Sequence, residues 1–87
     1  FNGPLMFIPG SHKKGVVDAK HDLTTTSYPL WTVSNDLIAQ LVERAGGKNG
    51  GIVSPTGPAG SMILFHSCLV HASTSNLSPW NRVSVYL

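Results

Sequence analysis

Nine glycines and six prolines punctuate a chain of 87 residues, and the apolar stretches between them are short. That rhythm favours brief strands joined by tight turns. Pro4-Leu-Met-Phe-Ile-Pro9, set between Asn2-Gly3 and Pro9-Gly10, reads as a buried strand. Ile52-Val53 begins another, and Pro55 to Gly60 forms turns. Ser61 to Ser67, apolar at Met62, Ile63, Leu64 and Phe65, reads as a central strand. A tight bend leads to a further strand over Leu69 to Ser73, then a polar loop over Ser75 to Pro79 and a last strand over Arg82 to Leu87.

One segment breaks the pattern. Leu37, Ile38, Leu41, Val42 and Ala45 share a helical face, Ser34-Asn-Asp36 supplies N-cap chemistry, and Gly46-Gly47 ends the run. The spacing predicts a helix over residues 35–45, and its apolar face suits core packing. Ser11 to Trp31 has little periodicity and reads as a long ordered loop, with Trp31 covering the core. Lys48 to Gly51 is a glycine-rich connection. The expected fold class is therefore mainly β: a partial double-stranded β-helix of the jelly-roll or cupin-like kind with one inserted α-helix.

Composition narrows the function classes. A net charge of +2 comes from scattered basic residues, with Lys13-Lys14 the one adjacent pair. No basic stripe interleaved with aromatics appears, which argues against nucleic-acid binding. No apolar run approaches 18 residues, so no membrane span is expected. Charged residues make up only 11% of the chain, as if much of its surface were covered. The first residue is Phe1, and Val83-Ser-Val-Tyr-Leu87 stops within a strand pattern, so a piece of a larger protein, incomplete at both ends, is expected. Cys68 is the single cysteine and reads as a small apolar residue in a reducing, cytoplasmic compartment.

The chemistry concentrates near the C-terminus. His71 closes an apolar strand, and Arg82 follows at the head of the next, eleven residues on. An imidazole for a metal and a guanidinium for a carboxylate suit a mononuclear iron site. Ser73 lies two residues past His71, so strand alternation turns both to one face. A lone strand histidine is more often a satisfied core residue than a ligand, and a lone arginine more often a surface charge. His66 reads as structural or supporting, and His12 as ordering the Pro-Gly-Ser-His turn. Trp80 is more safely assigned to packing than to a pocket wall.

Asn2-Gly-Pro-Leu-Met-Phe-Ile-Pro-Gly-Ser-His12-Lys, together with Gly60 to Leu87, resembles the phytanoyl-CoA dioxygenase family, in particular its ectoine-hydroxylase-like bacterial branch. The resemblance implies an Fe(II)- and 2-oxoglutarate-dependent oxygenase on a double-stranded β-helix. It implies that His71 is the distal iron ligand, that Arg82 pairs with the far carboxylate of 2-oxoglutarate, and that Ser73 helps hold the same carboxylate. O2 is then the second co-substrate and a small molecule the substrate. The family's other two ligands form a His-x-Asp or His-x-Glu motif before the Pro-Gly-Ser-His segment. His21-Asp22 lacks the spacer and follows that segment, so neither is assigned to metal.

The expectation is thus that residues 1–87 are the C-terminal part of one dioxygenase domain, inactive alone. The intact protein would hydroxylate a small-molecule C–H bond while 2-oxoglutarate is decarboxylated to succinate. A cupin-like binding or structural domain without a complete metal triad is the competing expectation.

Overall fold

A computed structural model of the protein describes residues 1–24, 30–46 and 51–87. Its elements are strand β1 (Leu5–Phe7), a 3-10 turn (Ser11–Lys14), β2 (Lys20–Asp22), β3 (Leu30–Thr32), helix α1 (Asn35–Arg44) and β4 (His71–Ser73). These are a few antiparallel strands and one helix, a mainly β arrangement.

β1 occupies the middle of the site-bearing layer. On one side it pairs antiparallel with β4, with Leu5 opposite Ser73, Met6 opposite Ala72 and Phe7 opposite His71. On the other, the Phe7 and Val53 amides and carbonyls exchange two hydrogen bonds of 2.9 Å each. The Ser54 hydroxyl adds a 3.0 Å donation to the Leu5 carbonyl. The prolines at 4 and 9 lack the N–H groups needed to prolong the strand, which keeps it short. A bridge between Asn2 and Asn76 extends the pairing past Gly3.

Helix α1 forms where the apolar spacing places it. The Ser34 hydroxyl caps it by accepting from the Leu37 amide at 3.3 Å, a contact worth about 1 kcal/mol. Gly46 takes a left-handed φ of 82° and closes the C-terminus; Gly47 lies outside the described residues. Leu41 is buried at 3% exposure, and Leu37, Ile38 and Val42 are half-buried beside it. Ile8 at 4% and Leu69 complete the buried apolar set among the described residues.

Three expectations need correction. The segment Ser11 to Trp31 is not a plain loop: it holds the 3-10 turn and a hairpin in which β2 pairs antiparallel with β3. Packing of one exposed pair supplies what periodicity did not, since the His21 and Trp31 rings stack at 4.4 Å across the two strands. Residues 25–29 and 47–50, which include most of the expected Lys48 to Gly51 connection, lie outside the described residues. Ser61 to Ser67 is not a strand, and neither is Arg82 to Leu87. Both follow irregular, exposed paths, with Leu64, Val83 and Val85 each more than 80% exposed. A strand exists only where a neighbouring backbone takes up its N–H and C=O groups, and among the described residues no backbone lies in register with either segment. The radius of gyration, 14.0 Å, exceeds the roughly 12 Å of a compact globule of this length, as expected when so much apolar surface is uncovered. No helix among the described residues is long and apolar enough to cross a membrane.

Candidate functional site

His71 opens β4, and its ring is held by the backbone just before the strand. Its Nδ1 lies 2.7 Å from the Leu69 carbonyl oxygen. A carbonyl can only accept, so Nδ1 carries the proton and Nε2 is left with a free lone pair. Histidines that bind metals are held in this way, one ring nitrogen donating to a carbonyl and the other left open. The Phe65 ring, tilted at 59° with its centroid 5.1 Å away, packs beside the imidazole.

Two residues along the strand, the Ser73 hydroxyl accepts from Arg82 Nη2 at 3.4 Å. The structure thus brings Arg82 to Ser73, although Arg82 sits on an irregular segment and not at the head of a strand. Arg82 faces a hollow of about 690 Å³ that it shares with Leu5, Ser54, Phe65 and Tyr86. The guanidinium offers this hollow the parallel N–H donors that a carboxylate requires; Ser73 touches Arg82 but is not among the residues that line the hollow, and neither is His71. On the helix side of β1 and β4, a second, apolar hollow of about 260 Å³ is bordered by Met6, Trp31, Ile38, Val70 and His71. Trp31 borders this hollow from the hairpin but stays 71% exposed, so it does not cover the core as expected.

The other histidines separate cleanly. His66 Nδ1 accepts from the Cys68 amide at 3.1 Å, so its neutral ring carries the proton on Nε2, the opposite tautomer to His71. Its Nδ1 is thus engaged by the backbone. His12 lies 6.0 Å from it, centroid to centroid, and its carbonyl closes the 3-10 turn by accepting from Gly15. His21 is engaged with Trp31. Asp22 accepts from both the hydroxyl (2.6 Å) and the amide (2.9 Å) of Thr24. Those bonds, the hydroxyl's first, hold its carboxyl below the usual carboxylate range. Trp80 is exposed and does not border the Arg82 hollow; its carbonyl accepts from Asn76 at 2.7 Å and from the Ser78 hydroxyl at 3.3 Å, and its amide donates to that hydroxyl. Cys68 is half-buried and free.

One residue that sequence reasoning passed over is Ser11. It is 2% exposed, the buried polar side chain among the described residues. Its hydroxyl accepts from the Val70 amide at 2.9 Å. The signal was its place in the Pro-Gly-Ser-His turn, but the histidine drew the attention and the serine makes the contact.

Comparison with known proteins follows this geometry. The family model described as phytanoyl-CoA dioxygenase matches residues 1–84. The chain belongs to the phytanoyl-CoA dioxygenase family. It is 35% identical, over 99% of its length, to an ectoine dioxygenase of Bordetella parapertussis, covering 28% of that protein. Against the ectoine dioxygenase of Sphingopyxis alaskensis it is 37% identical, again over 99% of this chain and 28% of the relative. An L-proline trans-4-hydroxylase of Streptomyces griseoviridis is 33% identical over 93% of this chain and 32% of its own length. The chain thus spans little more than a quarter of the first two relatives.

The donor chemistry can be tested against the iron that the family implies. No group of three His, Cys, Asp or Glu side chains that could hold a metal ion is present among the described residues. What His71 offers is an imidazole whose Nδ1 is taken by the Leu69 carbonyl and whose Nε2 is open, which fits a single position of an iron ligand set and no more.

Proposed function

We propose that the protein carrying this chain is an Fe(II)- and 2-oxoglutarate-dependent oxygenase that hydroxylates a small molecule at a C–H bond. In the balanced reaction one atom of O2 enters the substrate as a hydroxyl, and the other enters succinate as 2-oxoglutarate loses CO2. Bound Fe(II) would supply the activation of O2 that organic side chains cannot. The chain's own residues bind and orient. His71 gives Nε2 as one ligand, and Arg82 with Ser73 takes the far carboxylate of 2-oxoglutarate. The remaining ligands belong to the part of the relatives' length that this chain does not span. Residues 1–87 are then the C-terminal part of a double-stranded β-helix domain, working in the cytoplasm.

The observation that carries this reading is the 3.4 Å contact between Arg82 and Ser73, two residues along the strand from His71. The names of the relatives, ectoine dioxygenase and L-proline trans-4-hydroxylase, support a substrate of comparable size.

The test is 2-oxoglutarate binding by the full-length protein. Removing a charge-assisted pair costs about 1.5–3 kcal/mol, so Arg82→Ala should weaken the affinity roughly ten- to a hundredfold. His71→Ala should abolish iron-dependent release of succinate. Unchanged 2-oxoglutarate affinity in Arg82→Ala, with unchanged iron binding in His71→Ala, would replace this reading with a non-catalytic cupin-like domain.

A further inference from the structure

The Val70 amide that Ser11 holds and the Leu69 carbonyl that His71 holds are two ends of one peptide group. The Ser11 hydroxyl accepts from Val70 N–H at 2.9 Å. On the other side of the same planar unit, the Leu69 oxygen accepts from His71 Nδ1 at 2.7 Å. The peptide is rigid about its C–N bond, so fixing the direction of its N–H fixes that of its C=O. A donating N–H also polarises the carbonyl and makes it a better acceptor. The next carbonyl is held as well, since Val70 O accepts from the Ile8 amide at 3.1 Å, and Ser11 N–H returns to the Ile8 carbonyl at 3.2 Å. The turn after β1 thereby grips the residue immediately before His71 from both sides.

We infer that Ser11 is a positioning residue for the His71 imidazole, acting through the Leu69–Val70 peptide to keep the proton on Nδ1 and the lone pair on Nε2. The inference rests on the reading of His71 as a metal ligand for its use, but not for its test. Ser11 touches neither metal nor substrate. Its hydroxyl holds the peptide whose carbonyl meets Nδ1, and through it sets which nitrogen of the ring is open.

The experiment is nitrogen-15 NMR of the His71 ring in the metal-free full-length protein, recorded at alkaline pH so that the ring is neutral. The wild type should be mainly the Nδ1–H tautomer. Ser11→Ala should move most of the population to Nε2–H, and Ser11→Thr, which restores a hydroxyl, should return it. Ser34→Ala, which removes the cap of α1 far along the chain, should destabilise the protein and leave the tautomer alone. A wild type dominated by Nε2–H overturns the inference without any variant being needed. So does a Ser11→Ala protein that keeps the wild-type ratio. As a second readout, Fe(II) affinity should fall roughly ten- to a hundredfold in Ser11→Ala, the range typical of residues behind a ligand, and recover in Ser11→Thr. Failure of the proposed function would register elsewhere, as an iron affinity insensitive to His71→Ala.

Discussion

Gly3→Ala and Gly10→Ala form a pair of perturbations that separates a backbone penalty from a steric one. Both glycines have left-handed φ values, 74° and 77°. An alanine forced into that region costs about 1–2 kcal/mol. At Gly10 nothing lies within 4 Å of where the Cβ would sit, so the dihedral penalty is the whole cost. At Gly3 the new carbon would stand 2.8 Å from the Thr74 carbonyl oxygen and 3.3 Å from the Asn76 amide nitrogen. Both are backbone atoms of the segment that follows β4 and cannot swing away. Overpacking of this kind adds about 1–3 kcal/mol. Gly3→Ala should therefore lower the urea midpoint of the full-length protein by more than Gly10→Ala does, with the denaturant slope unchanged. The displaced Thr74 adjoins Ser73, so 2-oxoglutarate affinity should also fall in Gly3→Ala and hold in Gly10→Ala. Equal losses of stability in the two variants would refute the claim that the β1–β4 approach at Gly3 is too close for a side chain.

Ser73→Ala removes one partner of Arg82 while leaving the guanidinium in place. The loss of one hydrogen bond, about 0.5–1.5 kcal/mol, should weaken 2-oxoglutarate binding roughly three- to tenfold, measured by titration calorimetry. Leu41→Ala empties the buried centre of the α1 contact and should cost about 2–5 kcal/mol in denaturant unfolding, with no change in the 2-oxoglutarate affinity of the folded fraction. Asp22 has a folded pKa below its unfolded one. The turn it makes with Thr24 is thus favoured at all pH values above the ordinary carboxylate range and lost as pH falls through the lowered pKa. The Thr24 amide resonance should move only at that acidic end, and an Asp22→Asn protein should show no such transition. A midpoint at or above the ordinary value would contradict the hydrogen bonds assigned to Asp22.

What could be read from the sequence was what neighbours in the sequence decide. β1 was legible because two prolines and two glycines bound four apolar residues, and α1 because Ser34, the spacing of Leu37 to Ala45 and Gly46 agree at every level. That Ser73 and Arg82 lie together followed only from the family resemblance, which assigns both to one carboxylate; spacing and alternation related each of them to His71 and not to the other. The hairpin of β2 and β3 was not legible, because Lys20-His-Asp22 is polar and carries no period; its pairing rests on the His21–Trp31 stack and on the Thr32 hydroxyl reaching the Lys20 carbonyl at 3.2 Å. The expected strands at 61–67 and 82–87 show the reverse error. Apolar composition there is real, but a strand is a relation between two backbones, and composition names only one of them. The tautomers of His66 and His71 were out of reach for a related reason. The two are set by which backbone group, an amide or a carbonyl, each ring meets after the turn at 66–69.

The central position of β1 has a consequence for the order in which the protein assembles. Ser54 meets Leu5 across 49 residues of chain, and Val70 meets Ser11 across 59. Closures of that length are slow because chain entropy is lost before any contact compensates. α1, by contrast, is made of contacts a single turn apart and can form early. Ser11 therefore reaches the Leu69–Val70 peptide only once one of these long closures is made, and the face shared by β1 and β4 is completed late in folding.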